Sequence, residues 1–166
     1  MQLSYGPAPK NSDSAVNILL DVVRDQSGKT YKMDHYATRY PTNVVDVANF
    51  LVRLTGNLSF IPILLPNNNQ VSISALKKTI PPIIHYSGDE PYTKYEICLV
   101  FAKILGVPHK HIEPDSEPPT GNTVTRPRDC GLYTRETEDL GVEGGLGLSL
   151  FEEWWTEAIK SQTLNF

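Results

Sequence analysis

Cysteine is scarce in this sequence, which contains two cysteines in 166 residues. Cys98 and Cys130 form neither a disulfide framework nor a spacing typical of metal ligands. Such sparse cysteine is typical of proteins in a reducing cytosol. We expect both thiols to be packing residues rather than reactive groups.

Positive charge is also limited. The 15 Lys and Arg residues are outnumbered by 19 Asp and Glu residues, which gives a formal net charge of -4 and a pI near 5.5. A nucleic-acid surface needs a basic field to recruit phosphates, so nucleic acid is not the expected partner.

No apolar run approaches the length of a membrane span. The longest one, "FIPILLP", is far shorter than the roughly 20 residues that a spanning helix needs. The N-terminus "MQLSYGPAPKNSD" lacks the basic head and apolar core of a secretory signal. We therefore expect a cytoplasmic protein that has no membrane partner.

The length and the hydrophobic content of 40% are sufficient for one ordinary globular domain. Apolar spacing predicts a helix from about Ser14 to Arg24 and another after Tyr40, with Asn43 as its cap. The apolar face of this second helix is predicted to contain Val44, Val47, Ala48 and Leu51. The sequence then loses its periodicity over about 56–80, and we interpret this stretch as an insertion.

The second half of the chain has clearer signals. The stretch "PIIHYSG" is a candidate buried strand, with Ile83, Ile84 and Tyr86 as its apolar residues. Thr93 and Glu96 form a capping box that predicts a helix ending at Gly106. A final helix is predicted from Leu148 to about Lys160, and its apolar face contains Leu148, Phe151, Trp154, Trp155 and Ala158.

Several motifs that carry chemistry are absent or lie in the wrong context. The glycine run "GVEGGLG" follows a polar helix, whereas a phosphate-binding loop must follow a strand and open a helix. His109 and His111 have no second ligand cluster nearby, so no metal site is predicted. No tyrosine has a lysine four residues later, and no nucleophile elbow or Walker loop is present. We therefore predict no catalytic residues in this chain.

Three arginines are the remaining candidates for a binding site: Arg39, Arg126 and Arg128. The guanidinium group is well shaped for bidentate contacts with phosphate or carboxylate. Arg39 is either a cation that faces a bound nucleotide or a solvated residue at the start of a helix. Arg126 and Arg128 flank Pro127, and surface ion pairing with nearby acids is an equally open interpretation.

The order of four stretches resembles the C-terminal half of the RmlD-like extended short-chain dehydrogenase/reductase family. The stretches are "YGPAPKNSDSAVNILLDVV", "MDHYATRYPTNVVDVANFL", "HYSGDEPYTKYEICLVFAKILGVP" and "TRPRDCGLYTRETEDLG". Within that family they are most similar to the regulatory β subunits of methionine adenosyltransferase, and dTDP-4-dehydrorhamnose reductase is a bacterial relative. The resemblance covers nearly the whole chain except the insertion.

The resemblance implies an α/β fold, the C-terminal substrate-binding lobe of an NAD(P)-binding Rossmann-like protein. The N-terminal cofactor half, with its glycine-rich loop and Tyr-x-x-x-Lys pair, would lie outside this sequence. NADP is the cofactor of the full-length family, and we expect no cofactor to be bound by this chain alone. By the same resemblance, Arg39, Arg126, Arg128 and Tyr5 would line the substrate or nucleotide cleft.

The resemblance also implies a protein partner. In the regulatory subunits, the C-terminal tail inserts between catalytic methionine adenosyltransferase subunits, and "KSQTLNF" is similar to that tail. A hetero-oligomer is therefore expected, with a docking tail at about 161–166. The predicted contact residues are Phe151, Trp154, Trp155, Gln162, Thr163, Leu164 and Phe166. A tail folded back on the tryptophans is the alternative arrangement.

These observations leave two function hypotheses from different classes. The first is a non-catalytic regulatory subunit in S-adenosylmethionine biosynthesis. The second is the C-terminal part of an NADP-dependent sugar-nucleotide reductase similar to dTDP-4-dehydrorhamnose reductase, and a truncated non-functional product is a further alternative. Reduction of a dTDP-keto sugar would distinguish the second from the first.

Overall fold

The computed structural model describes residues 3–59, 81–119 and 127–161. Most of the predicted insertion lies outside these ranges. So do five of the predicted site residues: Arg126, Gln162, Thr163, Leu164 and Phe166. Among the helices in the described ranges, none is both long enough and apolar enough to cross a membrane.

The described residues form a mixed α/β structure with short strands and longer helices. In chain order, the elements are β1 (Ser4–Tyr5), a 3-10 turn (Asn11–Asp13), α1 (Ile18–Arg24), β2 (Tyr31–Asp34), β3 (Thr42–Asn43), α2 (Val44–Ser59), α3 (Lys94–Leu105), β4 (Ile112–Asp115), α4 (Arg135–Glu138) and α5 (Phe151–Lys160). The predicted α/β class is confirmed at this level.

The strands form two small parallel sheets. β1 pairs with β3 in the register Ser4↔Thr42, and β2 pairs with β4 in a register that begins at Tyr31↔Ile112. Parallel neighbours need long crossover connections, which here contain α1 between the strands of the first sheet and α2 and α3 between those of the second. This arrangement is compatible with part of a Rossmann-like fold.

The main hydrophobic core lies between α1, α3, α5 and the strand β1. Apolar side chains on the inner faces of the three helices are buried there, as expected for amphipathic helices around one core. The largest fully buried side chains of this core are Trp155, Tyr5, Phe101, Phe151, Leu3, Leu20 and Ile97. A second, smaller cluster consists of Phe50 from α2 with Val142 and Leu146 from the glycine-rich segment.

The helix α3 has the predicted ends. The Thr93 hydroxyl accepts a hydrogen bond from Glu96 N, and the Glu96 carboxylate accepts one from Thr93 N, so the capping box is confirmed. Gly106 has a positive φ of 66° and its N–H donates to the Ala102 and Lys103 carbonyls. These contacts satisfy backbone groups that would otherwise have no partner at either end.

The predicted strand at "PIIHYSG" is wrong. The structure forms no strand there, and Ile83 is 69% exposed. This segment instead contacts α4, the glycine run and α2: the His85 carbonyl accepts from the Thr137 hydroxyl, the Tyr86 hydroxyl donates to the Leu146 carbonyl, and the Tyr86 ring lies 5.1 Å from that of Phe50. Apolar content alone could not distinguish such a segment from a sheet strand.

The predicted inner face of α2 is also wrong, because Val44, Ala48 and Leu51 are exposed. The inward face contains Asp46 and Phe50, which are buried. Asp46 accepts hydrogen bonds from both the backbone N and the hydroxyl of Ser149. This polar contact turns the acidic side of the helix toward the protein. The helix also continues through the predicted start of the insertion and ends at Ser59.

Replacing Thr93 with Ala should lower the free energy of unfolding by about 1 kcal/mol, the usual effect of losing an N-cap side chain. Chemical denaturation followed by circular dichroism would measure it. Thr55→Ala is the control, since Thr55 is an exposed mid-helix residue whose hydroxyl bonds only within its own helix. Equal stability of the Thr93→Ala variant and the wild type would contradict the capping role.

Tyr31→Phe should make the folded protein less stable at neutral pH. The Tyr31 hydroxyl donates to Asp25 over 2.5 Å, and this bond is the main cause that lowers the pKa of Asp25 from 3.8 to about 2. A lowered folded-state pKa contributes stability above the unfolded pKa, and this stability is lost as the pH falls through the folded value. The difference in melting temperature between the wild type and Tyr31→Phe should therefore narrow as the pH falls from about 4 to about 2.

The matched control is Tyr133→Phe, at a tyrosine that is 68% exposed. A pH-independent difference for Tyr31→Phe would show that packing, rather than the carboxylate contact, is responsible. Carboxyl titration by NMR would report the pKa of Asp25 directly in both proteins.

Candidate functional site

Arg39 lies where three segments meet. Its backbone pairs with Tyr92 through two hydrogen bonds of 2.7 and 2.8 Å, and Thr38 N donates to the Arg128 carbonyl over 2.7 Å. Residues 38–39 are therefore held between the start of the α3 segment and residues 128–130. We call this meeting point the arginine junction and define it by Asp34, His35, Arg39, Thr93 and residues 127–130.

The side chain of Arg39 is buried, with only 5% of its surface exposed. Its Nη1 donates to the Thr38 carbonyl at 3.0 Å and lies 3.5 Å from the Pro127 carbonyl and 3.4 Å from the Cys130 sulfur. The interpretation of Arg39 as a solvated residue is therefore wrong. Its predicted role toward a nucleotide or phosphate stays a prediction.

The charge of Arg39 is balanced by Asp34 at the end of β2. The distance from Arg39 Nη2 to Asp34 Oδ2 is 3.9 Å, while Asp34 Oδ1 accepts from Tyr36 N and Ala37 N. Asp34 is more exposed than Arg39, at 36%. The carboxylate thus fixes a turn of the backbone and holds a buried cation at the same time.

Arg128 is the accessible cation of the arginine junction. It is exposed, and its guanidinium carbon lies 5.4 Å from the centre of the Tyr36 ring. His35 lies on the other side of the junction, where its Nδ1 is 2.9 Å from the Thr93 hydroxyl and its ring is 5.0 Å from that of Tyr95. Positive charge and hydrogen-bonding groups of this kind suit an anionic ligand.

The other predicted cleft residue, Tyr5, lies in the main core and is 2% exposed. Its ring packs against Phe151 at 4.9 Å, Trp154 at 5.3 Å and Trp155 at 5.8 Å. Burial, and then the nearby carboxylates of Asp46 and Glu90, raise the pKa of the Tyr5 phenol well above its ordinary range. The structure therefore places Tyr5 with the predicted partner-binding aromatics in the main core.

The predicted partner-binding residues that the structure describes belong mainly to the core. Phe151 is 1% exposed and Trp155 is fully buried, while Trp154 is only partly buried. Phe101 of α3 contacts Trp155 edge-on at 4.8 Å. These contacts hold α5 against α3 and β1, so they fix the position and orientation of α5.

The two cysteines have different environments. Cys98 is buried in the main core, as predicted, and burial raises the pKa of its thiol to about 12. Cys130 is half-buried and its sulfur contacts Arg39. The sequence analysis predicted no metal site at His111. Its Nε2 donates to the Val22 carbonyl over 2.9 Å.

The glycine run closes around Arg53 of α2. The Arg53 guanidinium donates to the carbonyls of Glu143, Gly145 and Leu146. A Cβ atom at Gly147 would lie 2.6 Å from Arg53 Nη2, and its φ is +69°. A phosphate loop needs converging N–H groups, whereas carbonyl oxygens converge here. The sequence-based rejection of a phosphate loop agrees with this geometry.

An acidic hollow at the start of α5 was not predicted from the sequence. It has a volume of about 500 Å³ and is lined by Glu90, Tyr92, Leu150, Glu152, Glu153, Thr156 and Glu157. Glu90 accepts from Phe151 N at 2.6 Å and so caps α5 from a distant part of the chain. Burial and Glu90 raise the pKa of Tyr92 to about 12. The spacing of Glu152, Glu153 and Glu157 along α5 was the sequence signal that could have indicated this hollow.

Comparison with known proteins supports one part of the resemblance that the sequence indicated. No family model matches the chain. The chain is similar to the protein named methionine adenosyltransferase 2 subunit beta from several vertebrates. It is 35% identical to the Xenopus tropicalis protein over 138 residues, or 83% of this chain and 36% of that protein. Identity is 31% for Bos taurus over the same shares and 28% for Danio rerio, where 38% of the relative is covered.

The predicted resemblance to these regulatory β subunits is therefore confirmed. The chain spans little more than a third of the length of the relatives that it matches. The broader placement among RmlD-like extended reductases stays a prediction.

Replacing Arg39 with Ala should lower the free energy of unfolding by about 2 kcal/mol, because it removes a buried side chain that donates to the Thr38 carbonyl and pairs with the Asp34 carboxylate. Urea denaturation would measure the loss. Arg128→Ala is the control, and it should change stability by no more than about 0.5 kcal/mol, as is usual for an exposed side chain. Similar losses in both variants would contradict the assignment of Arg39 as the structural cation of the arginine junction.

Proposed function

We propose that this chain is a regulatory-subunit-like protein of methionine adenosyltransferase, which binds the catalytic subunit in a hetero-oligomer. The observation that carries the proposal is the similarity to methionine adenosyltransferase 2 subunit beta over 83% of the chain. The described residues supply a buried structural arginine and an aromatic core. The effect on S-adenosylmethionine synthesis would then come from binding, and the chemistry from the partner.

The proposed contact is the C-terminal segment that follows α5, with Gln162, Thr163, Leu164 and Phe166 as its docking residues. Support comes from the firm attachment of α5, because Phe151 and Trp155 anchor it in the main core. The last described residue, Ser161, is exposed, so the chain leaves α5 at the surface. Phe151 and Trp155 therefore support the docking segment and are not themselves contact residues in this proposal.

The arginine junction belongs to the same proposal as an anion-binding site. In the RmlD-like placement, the chain corresponds to a substrate-binding lobe, and Arg39 and Arg128 lie at the cleft that receives a nucleotide or phosphate group. The exposure of Arg128 supports this role for its side chain, whereas buried Arg39 would act by holding residues 127–130 in place. We expect NADP to bind only where a cofactor half is present. We also propose that the protein is cytoplasmic.

Deleting residues 162–166 should abolish binding to a catalytic methionine adenosyltransferase 2 subunit while leaving the circular dichroism spectrum unchanged. An aromatic anchor at a chain end can dominate an interface, and Phe166 is the aromatic residue of this segment. Biolayer interferometry with the immobilised catalytic subunit would measure the affinity. The matched control carries the same five residues in scrambled order, which keeps the length and composition of the tail.

Binding that survives the deletion would contradict docking through the tail. Absence of binding by the intact chain would contradict the regulatory proposal itself. Turnover of a dTDP-keto sugar with NADPH would instead support the reductase alternative.

A further inference from the structure

The helix α5 begins without a cap of its own. Leu150 occupies the N-cap position with extended backbone angles and supplies no side-chain hydrogen bond. Leucine is among the least favourable N-cap residues, because its side chain cannot accept a bond from the first N–H groups of a helix. The N–H groups at the start of α5 must therefore find acceptors elsewhere.

Two carboxylates from distant parts of the chain are these acceptors. Glu90 Oε2 accepts from Phe151 N at 2.6 Å, across 61 positions of the sequence. Asp46 Oδ2 accepts from Ser149 N at 2.7 Å, across 103 positions. A negative charge near the N-terminus of a helix also interacts favourably with the helix dipole. The start of α5 is thus held from outside the helix, on both sides of Leu150.

Glu90 is itself held in place by Tyr92. The Tyr92 hydroxyl donates to Glu90 Oε1 at 3.2 Å, and the Tyr92 ring lies 5.1 Å from that of Phe151. The backbone of Tyr92 pairs with that of Arg39 through two hydrogen bonds. Both oxygens of the Glu90 carboxylate are therefore engaged, and the carboxylate has a defined position against the first turn of α5.

The polar side chains of α5 contribute little to fixing its first turn. Trp155 Nε1 is buried and has no hydrogen-bond partner among the described residues. Glu152 pairs with Lys103 of α3, but both side chains are exposed, and exposed ion pairs contribute little. The aromatic contacts of α5 determine which face points inward, whereas the bond to Glu90 determines whether the first turn stays formed.

We propose that Glu90 is a positioning residue for docking to the catalytic subunit. Its bond to Phe151 N keeps α5 in the arrangement from which the segment after Ser161 docks. The inference rests on the proposed function, in which that segment is the contact. Without the bond, the first turn of α5 frays and a smaller fraction of molecules is competent to dock. Such a residue changes the competent fraction and not the contacts made in the complex.

Biolayer interferometry of the full chain against the immobilised catalytic subunit tests this through the two rate constants. Hydrogen bonds to charged groups are among the stronger ones, so Glu90→Ala should lower the association rate constant about threefold or more. The dissociation rate constant should not change, whereas loss of a contact in the complex would raise it. Glu90→Gln keeps an oxygen that can accept from Phe151 N, so it should restore most of the association rate.

Two control variants separate positioning from other causes. Glu153→Ala removes an exposed carboxylate from the same acidic hollow. Gly106→Ala strains the backbone at the end of α3, where φ is +66°, and so destabilises the fold away from α5. Both variants should keep the wild-type rate constants for association and dissociation.

Amide hydrogen exchange tests the cap in the absence of any partner. In Glu90→Ala, the Phe151 amide should exchange about tenfold faster than in the wild type, because its acceptor is gone. This increase should exceed that at the Phe101 amide of α3. Gly106→Ala should show no such selective increase at Phe151.

A wild-type association rate or unchanged Phe151 exchange in Glu90→Ala would overturn the inference and leave the proposed function intact. An equal decrease in the association rate of Glu153→Ala would also overturn it, since the acidic hollow would then be a contact surface. An equal decrease in Gly106→Ala would attribute the effect to general loss of stability. A wild-type chain that does not bind the catalytic subunit would contradict the proposed function and the inference together.

Discussion

The packing of Tyr5 against the aromatic residues of α5 is the contact on which the rest of the structure depends. It joins the first strand to the last helix, and Phe101 extends it into α3. Aromatic side chains bury large areas and prefer edge-on geometry, so such a cluster stabilises the fold and also fixes orientation. Because β1 pairs with β3, the same cluster determines where α2 begins.

A second set of contacts is polar and determines how α2 is turned. Asp46 binds Ser149 just before α5, and Arg53 binds the glycine run a few residues earlier. Buried polar groups must find partners, whereas apolar groups can remain at the surface at modest cost. The two polar contacts therefore decide which side of α2 faces the protein, and the aliphatic residues occupy the outer side.

Sequence signals correctly predicted helix ends that depend on residues within one turn of the chain. The Thr93 capping box and Gly106 marked both ends of α3 because each acts within one turn of the helix. The inner face of α2 was missed because apolar periodicity does not show that Asp46 and Arg53 have distant partners about 90 to 100 residues away. Contacts of such sequence separation leave no local pattern. The strand predicted around Ile84 failed for the same reason.

The candidate site was predictable only in its residue types. Arginine chemistry pointed to Arg39 and Arg128, but burial separates their roles: the first holds backbone carbonyls and the second reaches solvent. Tyr5 was placed in the cleft by resemblance alone, and the structure places it in the core.

The enclosure of Arg53 by the glycine run has a consequence for how this protein can vary through evolution. Glycine is required at positions 144 and 147 partly because the guanidinium occupies the space that a side chain would take. A lineage that exchanged Arg53 for a shorter residue would lose three carbonyl contacts and, in the same step, part of the steric constraint on those glycines. The positive φ values of +78° at Gly144 and +69° at Gly147 would still favour glycine, so residue 53 should vary through evolution more readily than either glycine that encloses it.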